Sequence, residues 1–557
     1  GYVISNAPVV WDQGQFGIGD SAYFTNNATF TANGDLAIAS SPTSTNGYST
    51  LENRGTFVKA TGSGALTVSD LSFVQYGTLS AGSGSIVLVK NGNGPNVLEA
   101  GSTISGPVTA YDEVSLAGAS TVGSGATLEI GNDGNGDQGL LDGSGTLGGS
   151  GTVKIDGGAV NAGAMQSITF ASGGNVALTA NAATSTFTVD PQGTMTFAGT
   201  TAWTGGTVEI IDGTVTNSGT WTASTPGVFT YNTSSSVFSN KGTFTADPGA
   251  SATLQLLATM QNAGTWVLKS GTTQFGFYGY TQTAGTTTLA GGGATTSNGA
   301  MPPVYYAFDI QGGSLTGAGT VDAPVTAEGT VAPGSATSAG TLTVTQAYTQ
   351  SATGTLAIGL GGVQAGTQFD VLAVGSDVTI AGTLSVSLLG GYVPAVGSSY
   401  KVLTSASSNA DQGQFATVNQ PNGVTLTTTY DANDVTLGVT SVSIPDAGPD
   451  AAPDAAPQEG GTGDAGATEA GSEGGNGGDA SGPDASGEDA GGDASFMVDG
   501  AAEDGGGGSG GSSSNCSCDV VGGGSAPGAA GVLVAWGLSL AAASRRRRNE
   551  KSGRNGR

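Results

Sequence analysis

The sequence predicts an all-β protein: a right-handed parallel β-solenoid, followed by a disordered acidic linker and a short C-terminal hydrophobic helix. Three observations carry this reading. A short unit, Asn-x-Gly-Thr-aromatic, recurs along the body at a spacing close to 22 residues. The segments between its copies alternate apolar and polar residues, the period-two signature of strands. Near residue 444 the composition changes abruptly to Pro, Asp, Ala and Gly.

The repeat defines the first region, residues 1–311. Clear copies are Asn53-Arg54-Gly55-Thr56-Phe57, Asn217-Ser218-Gly219-Thr220-Trp221, Asn240-Lys241-Gly242-Thr243-Phe244 and Asn262-Ala263-Gly264-Thr265-Trp266. Gly285-Thr286 is a weaker copy, and Asn26-Asn27-Ala28-Thr29-Phe30 carries Ala in place of Gly. The drifting period suits a coil of short strands whose turns absorb a residue more or less. Each unit reads as turn, strand, turn, strand, with Gly and Asn at the corners. Successive coils would pair edge to edge, ~4.8 Å apart. Phe57, Trp221, Phe244 and Trp266 would then stack inward, and the recurring Asn would form an amide ladder. An exposed aromatic stripe for sugar stacking is the other reading of those rings. A threonine face that binds ice is a remote one, because the Thr-x-Thr pairs are irregular.

Residues 312–443 form the second region. Gly329-Thr330-Val331-Ala332-Pro333-Gly334 and Gly340-Thr341-Leu342-Thr343-Val344 are followed by Tyr348-Thr349-Gln350 and Gly354-Thr355-Leu356-Ala357-Ile358. Then come Phe369-Asp370-Val371-Leu372, Gly382-Thr383-Leu384 and Gly391-Tyr392-Val393-Pro394. This succession resembles the closing part of autotransporter-like β-helical surface proteins. The resemblance implies the stem of an exported protein and implies no enzyme. No translocator-barrel pattern follows, so it is to the passenger part. Val424 to Thr440, turning at Asp431-Ala432-Asn433-Asp434, reads as a hairpin that caps an otherwise open edge.

Charge marks the third and fourth regions. The chain has 14 Lys+Arg against 42 Asp+Glu, a net charge of −28. Seven bases and 25 acids fall in residues 1–444, and 16 acids with no base fall between Asp446 and Asp519. Residues 444–514, beginning Pro-Asp-Ala-Gly after Ile444, hold too few large apolar side chains to offset the entropy of ordering. They read as a solvated, extended spacer.

Residues 515–557 close the chain with Cys516-Ser517-Cys518, an apolar run at 528–543, and Arg545, Arg546, Arg547 and Arg548. The run is short against the ~20 residues of a membrane-spanning helix, and the arginines set its orientation. In this order the parts resemble the MYXO-CTERM sorting signal of myxobacterial surface proteins. The resemblance implies export, cleavage at Cys516 and Cys518 by a processing protease, membrane contact through 528–543, and anchoring at the cell surface or secretion after processing. A mutual Cys516–Cys518 disulfide would be strained. The chain starts at Gly1 without Met and shows no signal peptide, which is expected either to lie outside this sequence or to have been removed.

Composition removes several chemistries. Histidine is absent, so Ser-His-Asp and Cys-His catalysis and His-ligated metals are excluded. An acidic chain with few bases is a poor partner for nucleic acid. The best metal candidate is Asp133, Asn135 and Asp137, which mimic the start of a calcium loop. Gln138 stands where that loop needs Gly, and Ser144 where it needs Glu. No cofactor is expected beyond such a structural Ca²⁺. Asp156, Glu209 and Asp212 are acids a hydrolase could use, although Glu209 and Asp212 flank a turn. The expected function is a non-enzymatic surface stalk or adhesin-like protein. Its expected partners are the processing protease and, at the surface, polysaccharide or neighbouring cells. A carbohydrate-active β-helix, lyase or hydrolase, is the alternative.

Overall fold

The computed structural model describes residues 1–443 except 20, 41–48, 90–95, 134–137, 164, 180–185, 190–192, 212, 232–234 and 408–412. All regular elements among them are β-strands. They build a parallel β-solenoid in which most strands pair with the third strand after them. Tyr2–Ser5 pairs with Tyr23–Asn26, Val9–Trp11 with Thr29–Asn33, and Gln15–Ile18 with Ala37–Ser40, all parallel. A coil therefore has three faces, not the two strands per unit expected from the sequence. Thr207–Ile210, Thr214–Asn217 and Thr220–Ala223 show one such coil. Strands of four residues separated by corners of two to four residues account for the period near 22.

Alternation within each strand sorts the side chains. In Thr207–Ile210, Val208 and Ile210 face inward while Thr207 and Glu209 face outward. The inward residues form one continuous core from Trp11 to Val439. Aromatic rings stack along it. Trp221, Phe244 and Trp266 occupy one column on the third face, in register and fully buried. Phe57 is also buried, but it stacks on Phe30 of the second face, with ring centroids 4.9 Å apart and planes at 6°.

That separation reflects a shift of frame. Asn53 to Phe57 turns the chain from the first face to the second. Asn217 to Trp221 and its later copies turn it from the second to the third. One motif serves two corners because both corners impose the same demands. The first is an amide ladder. Asn217 donates to Asn240 Oδ1 at 2.8 Å, Asn240 to Asn262 Oδ1 at 2.8 Å, and Asn262 to Gln282 Oε1 at 3.2 Å. At the other corner Asn26 donates to Asn53 at 2.7 Å and Asn53 to Gln75 at 3.0 Å. Gln75 and Gln282 continue ladders that the repeat shows only as Asn.

The second demand is closeness. A Cβ on Gly242 would lie 2.1 Å from the carbonyl oxygen of Gly219, and one on Gly264 would lie 2.2 Å from that of Gly242. Neither glycine adopts a positive φ, so contact between coils rather than backbone conformation selects glycine there.

The stack changes character at its C-terminal end. Ser399–Ser405 pairs in parallel with Val371–Val374 but antiparallel with Asp434–Val442. The latter strand forms an antiparallel hairpin with Val424–Tyr430. This is the expected cap, with its turn at Asp431–Asn433. The linker expected at 444–514 and the module at 515–557 lie outside the described residues.

Candidate functional site

Outward side chains on a parallel solenoid meet across coils, so residues far apart in sequence become neighbours ~4.8 Å apart. Two carboxyls on the first face meet this way. Glu113 opens Glu113–Ala117, and Asp142 lies in Leu140–Gly143. The register sets Glu113 beside Leu140 and Ser115 beside Asp142. The two carboxyls are thus diagonal neighbours, with Ser115 directly beside Asp142. Burial raises the pKa of both groups, and the charges of Asp142 and Asp112 raise Glu113 further. The next coil sets Leu141 beside Val160, which brings Asn161 alongside Asp142. Oδ1 of Asp142 and Oδ1 of Asn161 are both buried without a hydrogen-bond partner.

Burial favours the protonated form of both groups, and the nearby like charges add to this at Glu113. Sequence reading missed the pair. No motif links Glu113 to Asp142, and only the coil length between them makes them neighbours.

A second region lies near the cap. Two clefts, of ≈ 400 Å³ and ≈ 300 Å³, share Leu389 in their walls. Thr337, Ser338, Gln368 and Tyr392 line the larger, and Thr316, Thr330, Ser387 and Asp370 the smaller. Asp370 accepts backbone N–H bonds from Gly340 at 2.8 Å and Gly359 at 2.7 Å. Burial nevertheless pushes its carboxyl up to about 6. Both its oxygens are committed to the backbone, so Asp370 pins the loop between Pro333 and Gly340. The Phe-Asp-x-Leu pattern at 369–372 is accounted for by this role in the fold.

The residues singled out from sequence do not assemble into one site. Asp156 is bound by Lys154 at 2.6 Å, and Lys154 also reaches Glu129 at 2.8 Å. Glu209 faces outward on the first face beside Thr230, while Asp212 lies outside the described residues. Asp133 follows Asn132, which forms an antiparallel bridge with Gln138. Asn135 and Asp137 lie outside the described residues. Among the described residues no group of three or more Cys, Asp and Glu is placed to hold a metal ion. Cys516, Cys518, Arg545, Arg546, Arg547 and Arg548 also lie outside the described residues. Within those residues no helix is long and apolar enough to cross a membrane. No family model matches the chain, and no curated protein matches it.

Proposed function

We propose that the protein is a non-enzymatic stalk of the cell surface, adhesin-like, exported and delivered through its C-terminal module. The observation that supports this is the unbroken parallel stack ending in an antiparallel cap. Such a stack gains ~4.8 Å of reach with every coil, and its amide ladders and aromatic columns resist bending. Its outer faces are paved with short hydroxyl side chains. On the third face one column runs Thr200, Thr220, Thr243, Thr265, Thr286, Ser314 and onward. A solenoid frame alone suits both binding proteins and enzymes.

The sequence order of body, acidic spacer, Cys motif, apolar run and arginines supports the delivery route. Cleavage at Cys516 and Cys518 would release the body from a membrane segment too short for stable residence. The test is expression in a myxobacterium with one tag before Cys516 and another after Arg548. The body tag should be accessible to antibody on intact cells and separated from the tail tag. Both tags on one polypeptide would refute processing, and a body tag confined inside the cell would refute the surface role. Release of reducing ends from a polysaccharide by the purified chain would establish the enzymatic alternative.

A further inference from the structure

Most large aromatic rings of the solenoid are core, but one corner turns several of them outward. Tyr231 closes the first-face strand Val228–Tyr231. At the same corner, further along the stack, Phe277 and Tyr278 fill the turn between Thr272–Phe275 and Tyr280–Gln282. On the following coil residues 296–307 loop out before Phe308–Ile310 and bring Tyr306 back to the cluster. The rings form a chain. Tyr231 and Tyr278 are 5.3 Å apart at 72°, Phe277 and Tyr278 are 5.4 Å apart at 80°, and Phe277 and Tyr306 are 5.0 Å apart at 50°. Phe277 is 59% exposed and Tyr278 36%. Leaving such rings in water is unfavourable, and contiguous apolar exposure of this kind marks interaction sites.

A polar column runs beside the rings on the first face. Gln255 donates to Gln274 Oε1 at 3.0 Å, and Gln274 donates to the Ser297 carbonyl at 2.8 Å. Thr295 donates to Asp322 Oδ2 at 3.0 Å. The register places Gln255, Gln274, Thr295 and Asp322 on successive coils. Charge narrows the partner. The bases between residues 228 and 345 are Lys241 and Lys269. Lys241 follows the second-face strand Val237–Asn240, and Lys269 follows the third-face strand Thr265–Leu268 and pairs with Asp247 at 2.8 Å. An acidic polymer therefore meets no cation at this corner.

We infer that the Tyr231–Phe277–Tyr278–Tyr306 corner binds an uncharged polysaccharide, its sugar rings lying on the aromatics and its hydroxyls meeting the Gln255–Asp322 column. A sugar ring has an apolar face of C–H groups and a rim of hydroxyls. It matches a surface that pairs exposed aromatic rings with planar amides and a carboxyl. The inference rests on the surface-stalk reading for its setting and deepens it by giving the stalk a contact point.

The test uses the full chain and a panel of cellulose, chitin, starch and soluble β-glucan, with alginate as the acidic control. Wild-type protein should be retained on at least one neutral polymer and not on alginate, with little change at about 0.5 M salt, where charge attraction is screened. Phe277→Ala with Tyr278→Ala should weaken retention about ten-fold, the loss of two stacked rings. Both side chains are exposed, so an unchanged melting temperature verifies the fold. Retention unchanged by the double variant, or none on any neutral polymer, overturns the proposal. A wild-type dimer by sedimentation that the variant abolishes also overturns it, because the corner then joins two copies. Failure on the panel leaves surface display measurable by the tagging experiment, so the two readings fail separately.

Discussion

At Asn240 three coils meet. Its amide receives a hydrogen bond from Asn217 and donates to Asn262 Oδ1 and to the Thr265 carbonyl at 2.9 Å. The side chain is fully buried. Asn240→Ala would leave partners on both neighbouring coils unsatisfied, so a loss of about 2–3 kcal/mol is expected by denaturant titration. Asn240→Asp should also destabilise, because it sets a carboxylate against the Asn262 carbonyl oxygen. Lys59 plays a comparable part at another corner. It is fully buried, pairs with Asp35 at 3.0 Å, and donates to the carbonyls of Thr61, Gly62 and Ser83. Lys59→Met removes all of these, and thermal melts should show a clear fall in stability, larger than for Lys269→Met on the exposed surface. Asp370 gives a pH signature. Its carboxyl is raised from 3.8 to about 6 in the folded chain. A raised folded value stabilises fully below the unfolded value, and that contribution is lost as pH rises through the folded one. Melting temperature should therefore fall relative to Asp370→Asn between about pH 4 and pH 7. Parallel profiles for the two proteins would show that the group does not titrate in that window.

At the scale of the coil, glycine at the corners is a packing requirement. Gly242→Ala drives a methyl into the Gly219 carbonyl, which is backbone and already accepts the Thr243 N–H at 2.8 Å. The expected cost sits at the upper end of the ~1–3 kcal/mol of overpacking. Gly249→Ala is the control for space, since nothing lies within 4 Å of its Cβ, though its φ of +101° still strains alanine. Equal effects at the two sites would show that inter-coil contact is not what matters. The corner motif made the solenoid readable, because Asn, Gly, Thr and the aromatic each perform a separate task at a fixed offset. The number of faces was not readable. Strands as short as Thr214–Asn217 and Thr220–Ala223 are separated by two residues that resemble any Ser-Gly turn. The Glu113–Asp142 pair and the Tyr231–Phe277–Tyr306 corner were also hidden. Their members share no motif, and coils of unequal length, one of them carrying the loop 296–307, determine which residues align.

Across the whole solenoid, each coil touches only its neighbours, so stability adds up locally and varies along the stack. Between Phe170 and Phe308 the core is a nearly continuous run of ring contacts, including Phe170 on Phe197 at 4.8 Å, Phe244 on Trp266 at 4.5 Å and Tyr280 on Phe308 at 4.6 Å. One buried amide ladder, Asn217 to Gln282, runs through this length. At the first coil the balance differs. Tyr2–Ser5 has a single neighbouring strand, and Tyr2, Val3 and Ile4 are 64%, 56% and 49% exposed. The opposite end is held by the hairpin, which gives Ser399–Ser405 a strand on each side. Opening should therefore begin at the first coil and reach the aromatic segment last. Hydrogen exchange followed by mass spectrometry on the full chain checks this. Peptides covering 2–18 should exchange first, those near 424–442 should be slower, and those within 200–310 slowest. Removing residues 424–442 should speed exchange in Ser399–Ser405 and the adjacent coils while leaving 200–310 unchanged. Uniform exchange from end to end would mean that the stack opens as one cooperative unit and that the aromatic columns do not set its local stability.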